Sequence, residues 1–521
     1  MQAERPPLGA LAPDPEEADI VASLLESIDR LGKGIDARKI DEEHHVPADL
    51  LGELAELGMM GLSLPVEHGG YGLSLWATGT AVARLAVYDR SVATTVGLHL
   101  GLGTRGLVRF GSPEQQARWL PELSTGRKLA AFAATEPDAG SDLGAVRTRV
   151  VPVPASDGGD GGDGDGGDGD GGDGERLQVD GSKIYVTNGG LATTFTILAS
   201  SPGLGGARRG QSVLLLEKRD PGMVVGAEEI KLGLRGSSTT TLSIDSVRVG
   251  HDRILGQPGQ GSQHVAHILA WGRTAMAFGC CGTGRAAIDA ALRHTAQREQ
   301  FGRPLRELPV VAAQLDLAEA QLFAMEATVR WASWEDATLE TRSLAAKVFN
   351  SEGSWELADL AVQLHGGSGF IEETGVALLL RDARITRIFE GANDVLRIHM
   401  GLLQAMDFPR TPLGSISELG VQADALAQQV QDRARLLKER LGARLGGAHT
   451  LLHLLGSMAV LTASCDAATL RAAHQGSPTA WTRAERWVTE ARRRTLPLLA
   501  ALDDGLATIP ERRRRSAEVS P

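Results

Sequence analysis

The sequence predicts an α+β fold whose helices and strands occupy separate blocks. An N-terminal helical domain comes first, then a middle β domain of barrel or sandwich form, a C-terminal helical bundle and an additional C-terminal helical domain. Three observations predict this order. Apolar residues recur at helical spacing through about residue 128 and again from about residue 259. Short β-branched runs divided by Gly, Pro and Asp fill the interval. Strands and helices do not alternate, which excludes a doubly wound parallel sheet.

The first block covers residues 1–128. DLLGELAELGMMGLSL puts its apolar residues on one helical face, and Ser112, Pro113 and Glu114 read as a cap followed by proline in the first turn. The second block, 129–250, holds LAAFAAT, RTRVVPV, RLQV, KIYVTN, TTFTILAS, QSVLLLE and STTTLSIDSVRV as strands, with Asp180 and Gly181 read as a two-residue hairpin turn. The third, 251–408, holds Ala/Leu-rich helices near 260–297, 309–338 and 343–364. MDFPRTPLG reads as a linker into the fourth, 409–521, which is helical over 415–506.

At 42% hydrophobic and 23% charged, the 521 residues can bury a large core, and ~150 residues per domain suggests about three or four domains. No run approaches the ~20 uninterrupted apolar residues of a membrane span. The acidic, Pro-rich N-terminus lacks secretory and transit patterns, and three cysteines, of which Cys280 and Cys281 are adjacent, make no disulfide framework. A cytoplasmic protein of bacterial type is expected. A net charge of −12 argues against a nucleic-acid binder. Residues 157–174, DGGDGGDGDGGDGDGGDG, hold seven Asp and no base, so without them the charge is −5. This tract has nothing to bury and fits neither a β-roll nor an EF-hand register, so it reads as a disordered, solvated insertion. GLGTRG at 101–106 matches GxGxxG, yet no clear strand precedes it and no βαβ unit surrounds it; it reads as a decoy.

Four stretches carry chemistry. Phe132–Asp142, FAATEPDAGSD, ends a strand in small and turn-forming residues and offers backbone N–H groups and the Thr135 and Ser141 hydroxyls to a heterocycle edge or a phosphate. Tyr185–Gly190, YVTNGG, is a strand running into a turn. Arg298–Gly302, REQFG, sets an arginine at a helix end, where it could hold a pyrophosphate. Gln363–Arg397 contains HGGSG, which admits close backbone approach, and Glu390 between an Ile–Phe pair and Gly391. A carboxylate in apolar surroundings has a raised pKa and suits a general base near neutral pH. Taken singly, each stretch has an ordinary reading: a polar turn, a surface arginine, a glutamate facing a helix dipole.

In this order and on this plan, the stretches resemble the acyl-CoA dehydrogenase family over about residues 20–405. FAATEPDAGSD and IFEGANDVLR are near-complete family signatures. LPVEHGGYG, LHLGLGTRGLVRFGSPEQQARWLPELSTG and HILAWGR are most similar to the very-long-chain branch, whose C-terminal helical extension would account for residues 410–521. The resemblance implies FAD-dependent α,β-dehydrogenation of a long-chain fatty acyl-CoA to the trans-2-enoyl-CoA, as in fatty acid β-oxidation. It makes Glu390 the base for the α-proton, with hydride transfer to flavin N5 and electrons passed to electron-transferring flavoprotein. The Glu390 backbone N–H would polarise the thioester carbonyl, as in an oxyanion hole. Some branches carry the base just before a matching arginine; here Gly272 precedes Arg273 and cannot serve.

By the same resemblance, Phe132, Ala134, Thr135, Ser141, Tyr185 and Thr187 surround the isoalloxazine. Arg298, Gln300 and Phe301 hold the pyrophosphate and adenosine, and Gln363, Gly366 and Gly367 meet the FAD of a neighbouring subunit in a homodimer. Ala392 and Asp394 complete the cofactor set. Ser141, Gly272, Arg273, Glu390 and Gly391 are the substrate positions, and no metal is implied. Tyr185 stands where Trp is commoner, and Ala392 where Thr is usual. Trp271 replaces a smaller polar residue and either plugs the acyl tunnel or packs as a structural residue. Trp481, Trp487 and the arginines of 478–497, followed by RRRR at 512–515, read as a membrane-surface helix or as a bundle helix with a solvated Arg face. The alternatives are an oxygen-reactive acyl-CoA oxidase type, a dehydrogenase of another thioester, and a non-catalytic assembly protein on the same fold.

Overall fold

The computed structural model describes residues 14–154, 176–206, 208, 210–336, 338–406 and 416–509. The Asp/Gly tract, most of the MDFPRTPLG linker and the RRRR run lie outside the described residues. Helices come first: α1 (Pro15–Gly32), α2 (Ala37–Glu43), α3 (Ala48–Glu56), α4 (Leu75–Tyr88), α5 (Arg90–Leu98), α6 (Arg105–Phe110) and α7 (Pro113–Ser124). Strands follow: β1 (Ala130–Ala133), β2 (Arg149–Val153), β3 (Arg176–Thr187), β4 (Thr194–Ser200), β5 (Gln211–Glu217), β6 (Met223–Glu228), β7 (Thr239–Val249) and β8 (Ile254–Leu255). Then come α8 (Gly261–Gln297), a short hairpin of β9 (Glu299–Gln300) and β10 (Arg303–Pro304), α9 (Pro309–Ala332), α10 (Leu339–His365), α11 (Val376–Ile385) and α12 (Asn393–Ala405). The last block holds α13 (Glu418–Leu441), α14 (His449–Gln475) and α15 (Pro478–Ala507).

The chain divides into two compact units. One comprises residues 39–74 and 91–272 and contains the sheet. Its strands run in the order β6-β7-β3-β2-β4-β5-β8, with β1 paired in parallel to β4. Phe195, Ile197, Leu214, Leu216, Val186 and Leu242 form the core of the sheet. Ser112 and Gln115 make a reciprocal capping box at the start of α7, as the Ser–Pro–Glu signal predicts. His99 is wholly buried beside β1: Nδ1 accepts from the Ala130 N–H at 3.0 Å, and Nε2 lies 3.2 Å and 3.1 Å from the carbonyls of Met60 and Leu123. Burial holds this imidazole neutral, its pKa pulled down to about 4.

Two sequence features acquire physical reasons here. GLGTRG serves packing, because a Cβ on Gly103 would sit 2.8 Å from the Ala130 carbonyl. Asp180 and Gly181 are not a hairpin turn. Strand β3 runs unbroken through them, and the register shift between Val179 and Gly181 marks a bulge. Glycine is required because a Cβ would meet the Thr148 backbone at 2.7 Å, so the dipeptide reflects close approach rather than reversal. The hairpin is β2–β3, with Val153 opposite Arg176.

The other unit comprises 1–38, 75–90 and 273–521. Close helix crossings depend on missing side chains. A Cβ on Gly79 of α4 would lie 2.3 Å from the Phe278 ring of α8. The last block docks the same way: a Cβ on Gly456 of α14 would lie 1.7 Å from the Arg397 carbonyl of α12, and one on Gly401 of α12 would lie 2.0 Å from the Leu452 carbonyl of α14. Arginines of α15 reach acids on the bundle, Arg483 to Glu319, Arg486 to Asp316 and Arg494 to Glu356, at 2.7–2.9 Å. Trp487 is wholly buried and donates from Nε1 to Ser464 Oγ at 3.0 Å. A membrane-surface helix would need both groups outside. Helix α14 is long and apolar enough to cross a bilayer, but 61% of its apolar window is buried within the protein. Replacing Gly456 with Ala should lower the calorimetric unfolding midpoint, since overpacking a crossing costs about 1–3 kcal/mol. Gly446→Ala, with nothing within 4 Å, should leave it unchanged.

Candidate active site

The predicted residues fall in both units, and each group is built by its own local chemistry. In the sheet unit, β1 runs into the Phe132–Asp142 loop, which closes on itself through reciprocal backbone bonds between Glu136 and Ala139 at 2.9 Å and 3.1 Å. Lys183, on the buried face of β3, ties this loop to the Tyr185–Gly190 stretch. Its side chain is 0% exposed and its Nζ donates to Glu136 Oε1 at 2.7 Å and to the Ala134 carbonyl at 3.1 Å. Glu136 also accepts from the Arg147 and Thr148 N–H groups at 2.6 Å and 2.9 Å, so its carboxylate is met on both oxygens. Burial draws the Lys183 ammonium down to about 8 against the support of Glu136. The Ile184 N–H donates to the Thr135 carbonyl at 3.0 Å, bringing the two motifs side by side.

Of the residues predicted here, Ala134 is buried, Phe132, Thr135 and Thr187 are half-buried, and Ser141 and Tyr185 are exposed. Tyr185 and Asn188 both adopt left-handed backbone, with φ 56° and 64°. Buried Asn188 donates to the Thr95 carbonyl at 2.9 Å, while its Oδ1 has no partner. Trp271 is buried to 1% exposure, with Arg105 over its ring at 5.4 Å, and a Cβ on Gly101 would lie 3.2 Å from it. Its ring lies against the Gly101 backbone.

In the helical unit, Glu390 ends the turn after α11 with φ 56°, and Gly391 follows with φ 103°. Arg273 of α8 donates from Nε to the Glu390 carbonyl at 2.8 Å. The carboxylate carries a buried Oε2 with no hydrogen-bond partner. Burial pushes the Glu390 carboxyl up to about 7, against the pull of Arg273, Lys347 and Arg90. Ala392 occupies the N-cap of α12, and no side chain caps that end, because alanine carries no acceptor. Asp394 is exposed and engaged with His453 of α14 at 3.1 Å and Arg397 at 3.2 Å.

Arg298, Gln300 and Phe301 form a second group in this unit. Gln300 pairs with Arg303, so Phe301 and Gly302 are the centre of a two-residue hairpin, with φ 55° and 76°. Two positive φ values match the twist of such hairpins, and only the second position carries a glycine. Phe301 is 88% exposed, and Arg298 and Gln300 are exposed beside it. His294 stacks on His365 at 4.1 Å and links this hairpin to the end of α10, where Gln363, Gly366 and Gly367 are exposed. Nothing lies within 4 Å of a Cβ placed on either glycine. Phe370, just beyond, is 85% exposed. A separate cavity of ≈ 460 Å³, lined by Trp76, Phe278 and Arg330 among others, includes none of the predicted residues.

Sequence reasoning missed Lys183, Glu136, Asn188, Lys347 and Asn393. A lysine inside an apolar strand or an Ala-rich helix was the available signal.

The family description "Acyl-CoA dehydrogenase, N-terminal domain" matches residues 31–127, the middle domain 131–247 and the C-terminal domain 259–402. The mitochondrial very long-chain specific acyl-CoA dehydrogenase of Mus musculus is 34% identical over 408 residues, which is 75% of this chain and 58% of that protein. The chain therefore spans less than two thirds of that relative. The butyryl-CoA dehydrogenase of Megasphaera elsdenii superposes with a TM-score of 0.66 at 30% identity, covering 73% of this chain and 96% of that one. An acyl-CoA dehydrogenase from Bacillus anthracis, solved with FAD, shares the fold over 95% of this chain and 87% of its own, with a TM-score of 0.76 at 24% identity.

Lys183→Met should destabilise the sheet unit by about 3–5 kcal/mol, because it strands a buried carboxylate. Adding Glu136→Gln should recover much of that loss. Denaturant unfolding of the two variants, read alongside the flavin retained on purification, tests the pair.

Proposed function

This chain belongs to the acyl-CoA dehydrogenase family, and we propose that it oxidises long-chain fatty acyl-CoA thioesters to trans-2-enoyl-CoA with FAD as cofactor and electron-transferring flavoprotein as acceptor. The observation that carries the reading is the Glu390 carboxylate, whose buried and unpartnered Oε2 sits on a turn locked by Arg273. FAD, when bound, supplies the acceptor for the β-hydrogen and its electron pair. The residues present suit it. Arg298 offers an exposed guanidinium for a pyrophosphate, Gly366 and Gly367 leave room for close approach, and Tyr185 offers an exposed ring next to the half-buried strand residue Thr187.

Glu390 takes the α-proton. A carboxyl at about 7 is partly ionised at neutral pH and strong enough as a base to receive a proton from a carbon acidified by its thioester. The Glu390 backbone N–H stabilises the charge that develops on the thioester oxygen, as a fixed dipole that needs no reorganisation. Arg273 holds the carbonyl of the same residue, so the turn cannot relax toward the right-handed conformation. Similarity to the very-long-chain relative, together with Trp271 packed on Gly101, supports a long acyl chain. All three cysteines are free and buried, in keeping with the cytoplasm as the proposed compartment.

The partner we propose at the exposed Phe301 and Phe370 is a second copy of the chain, completing the cofactor site. Light scattering should then give a mass near two chains, and a mass near one chain would remove this element of the reading.

Anaerobic mixing with saturated acyl-CoAs of about four to twenty carbons should bleach the flavin with long chains only, and Glu390→Gln should slow bleaching about 10²–10⁴-fold. The rate should rise with pH through about 7 and level off above it, because only ionised Glu390 accepts the proton. Bleaching by short chains only would put Trp271 in the tunnel, and rapid reoxidation by air would point to an oxidase. No bleaching with FAD bound would overturn the reading.

A further inference from the structure

Lys347 lies mid-way along α10 in the run Leu344–Phe349, LAAKVF, and is wholly buried. Helix packing alone gives no reason for an ammonium there, and a buried cation is costly unless its donors are met. Lys347 Nζ donates to the Gly391 carbonyl at 2.7 Å and to Asn393 Oδ1 at 2.7 Å, both on the Glu390 turn. Asn393 is itself oriented. Its Nδ2 donates to Ser351 Oγ at 3.0 Å and Glu352 Oε1 at 2.9 Å. Arg387 and Arg397 hold Glu352 at 2.6 Å and 2.8 Å. The carbonyl of Glu390 ends on Arg273, and the carbonyl of Gly391 on Lys347. Two consecutive peptide units are thus pinned by two different helices, α8 and α10.

We propose that Lys347 is a positioning residue for the dehydrogenation, holding the Gly391 carbonyl so that Glu390 stays in its left-handed, proton-accepting conformation. This rests on the dehydrogenase reading of Glu390. A non-glycine residue in left-handed backbone is strained, so the turn persists only where surrounding bonds over-determine it. The charged groups facing the pair are Arg273 of α8, Arg90 at the start of α5 and Glu352 of α10, and the Cys280 thiol, kept protonated by burial, faces it from α8. Lys347 pulls the Glu390 carboxyl down against burial, and Glu390 in turn supports the ammonium, which burial draws down.

The test uses FAD-loaded Lys347→Met and Asn393→Ala. Three quantities are read: the anaerobic flavin-reduction rate at saturating acyl-CoA against pH, the acyl-CoA Kd, and the infrared titration of the Glu390 carboxyl, assigned by difference from Glu390→Gln. Lys347→Met should keep the Kd within about twofold, lose about tenfold or more in rate, and move the Glu390 titration to higher pH. Asn393→Ala should lose rate with no shift of the titration. A Lys347→Met protein with wild-type rate and an unmoved Glu390 titration overturns the proposal. If Lys347→Met does not fold, Asn393→Ala decides: a lower rate at unchanged Kd supports the clamp, and a wild-type rate overturns it. If the wild type is bleached by no acyl-CoA, the dehydrogenase reading fails. The positioning role then falls with it, whereas a wild type that is bleached and variants that keep its rate overturn the positioning role alone.

Discussion

Burying one oxygen of the Glu390 carboxylate is the cost around which the helical unit is arranged. An isolated ionised carboxylate in an apolar interior would give up its charge, and here burial does raise its pKa to about 7. Arg273, Lys347 and Arg90 oppose that rise without neutralising it by direct pairing, since Oε2 keeps no hydrogen-bond partner. Arg273 and Lys347 spend hydrogen bonds on the Glu390 and Gly391 carbonyls of the turn, whereas Arg90 donates to the Met276 carbonyl of α8. Arg273 and Lys347 thus both keep ionisation accessible and hold the backbone in a conformation that an L-residue rarely adopts. Gly391 is obligatory, with φ 103° and Leu396 2.9 Å from any Cβ.

The sheet unit meets a similar constraint with a different solution. Lys183 and Glu136 are paired directly and each makes further hydrogen bonds, so the pair serves as a fixed brace between two loops. Backbone strain gathers at the candidate stretches of both units. Among the described residues, the non-glycine positions with positive φ are His44, Tyr185, Asn188, Leu234, Ser246, Phe301 and Glu390. Four of these seven fall within the stretches that carry the candidate chemistry, more than such short segments would collect by chance. Strained backbone persists where the surroundings over-determine it, and here the braces are visible as Lys183, the β9–β10 hairpin, and the Arg273 and Lys347 contacts.

The last helical block is fastened to the bundle by two different means. Glycines let α12 and α14 approach backbone to backbone, and arginines of α15 reach across to acids on α9 and α10. Exposed ion pairs of this kind contribute little individually, so the glycine crossing and the buried Trp487 carry the docking. The contact between Asp394 and His453 brings this block to the first turn of α12, three residues beyond Gly391.

The order of blocks, the helix start at Ser112, the four chemical stretches and the glutamate among them were all legible in the chain, because each rests on local pattern: periodicity, capping, or a run of unusual residue types. The Asp180–Gly181 reading failed because bulges and turns ask for the same dipeptide, and only the partner strand distinguishes them. Lys183 and Lys347 were silent for another reason. A lysine among apolar residues ordinarily snorkels to the surface, and what buries these two lies 47 and 44 residues away, at Glu136 and Gly391. The sequence by itself determined which groups are present and in what order. Tertiary structure alone decided which of them lose their water, and so which carboxylate keeps an unpartnered oxygen and which is held as a brace.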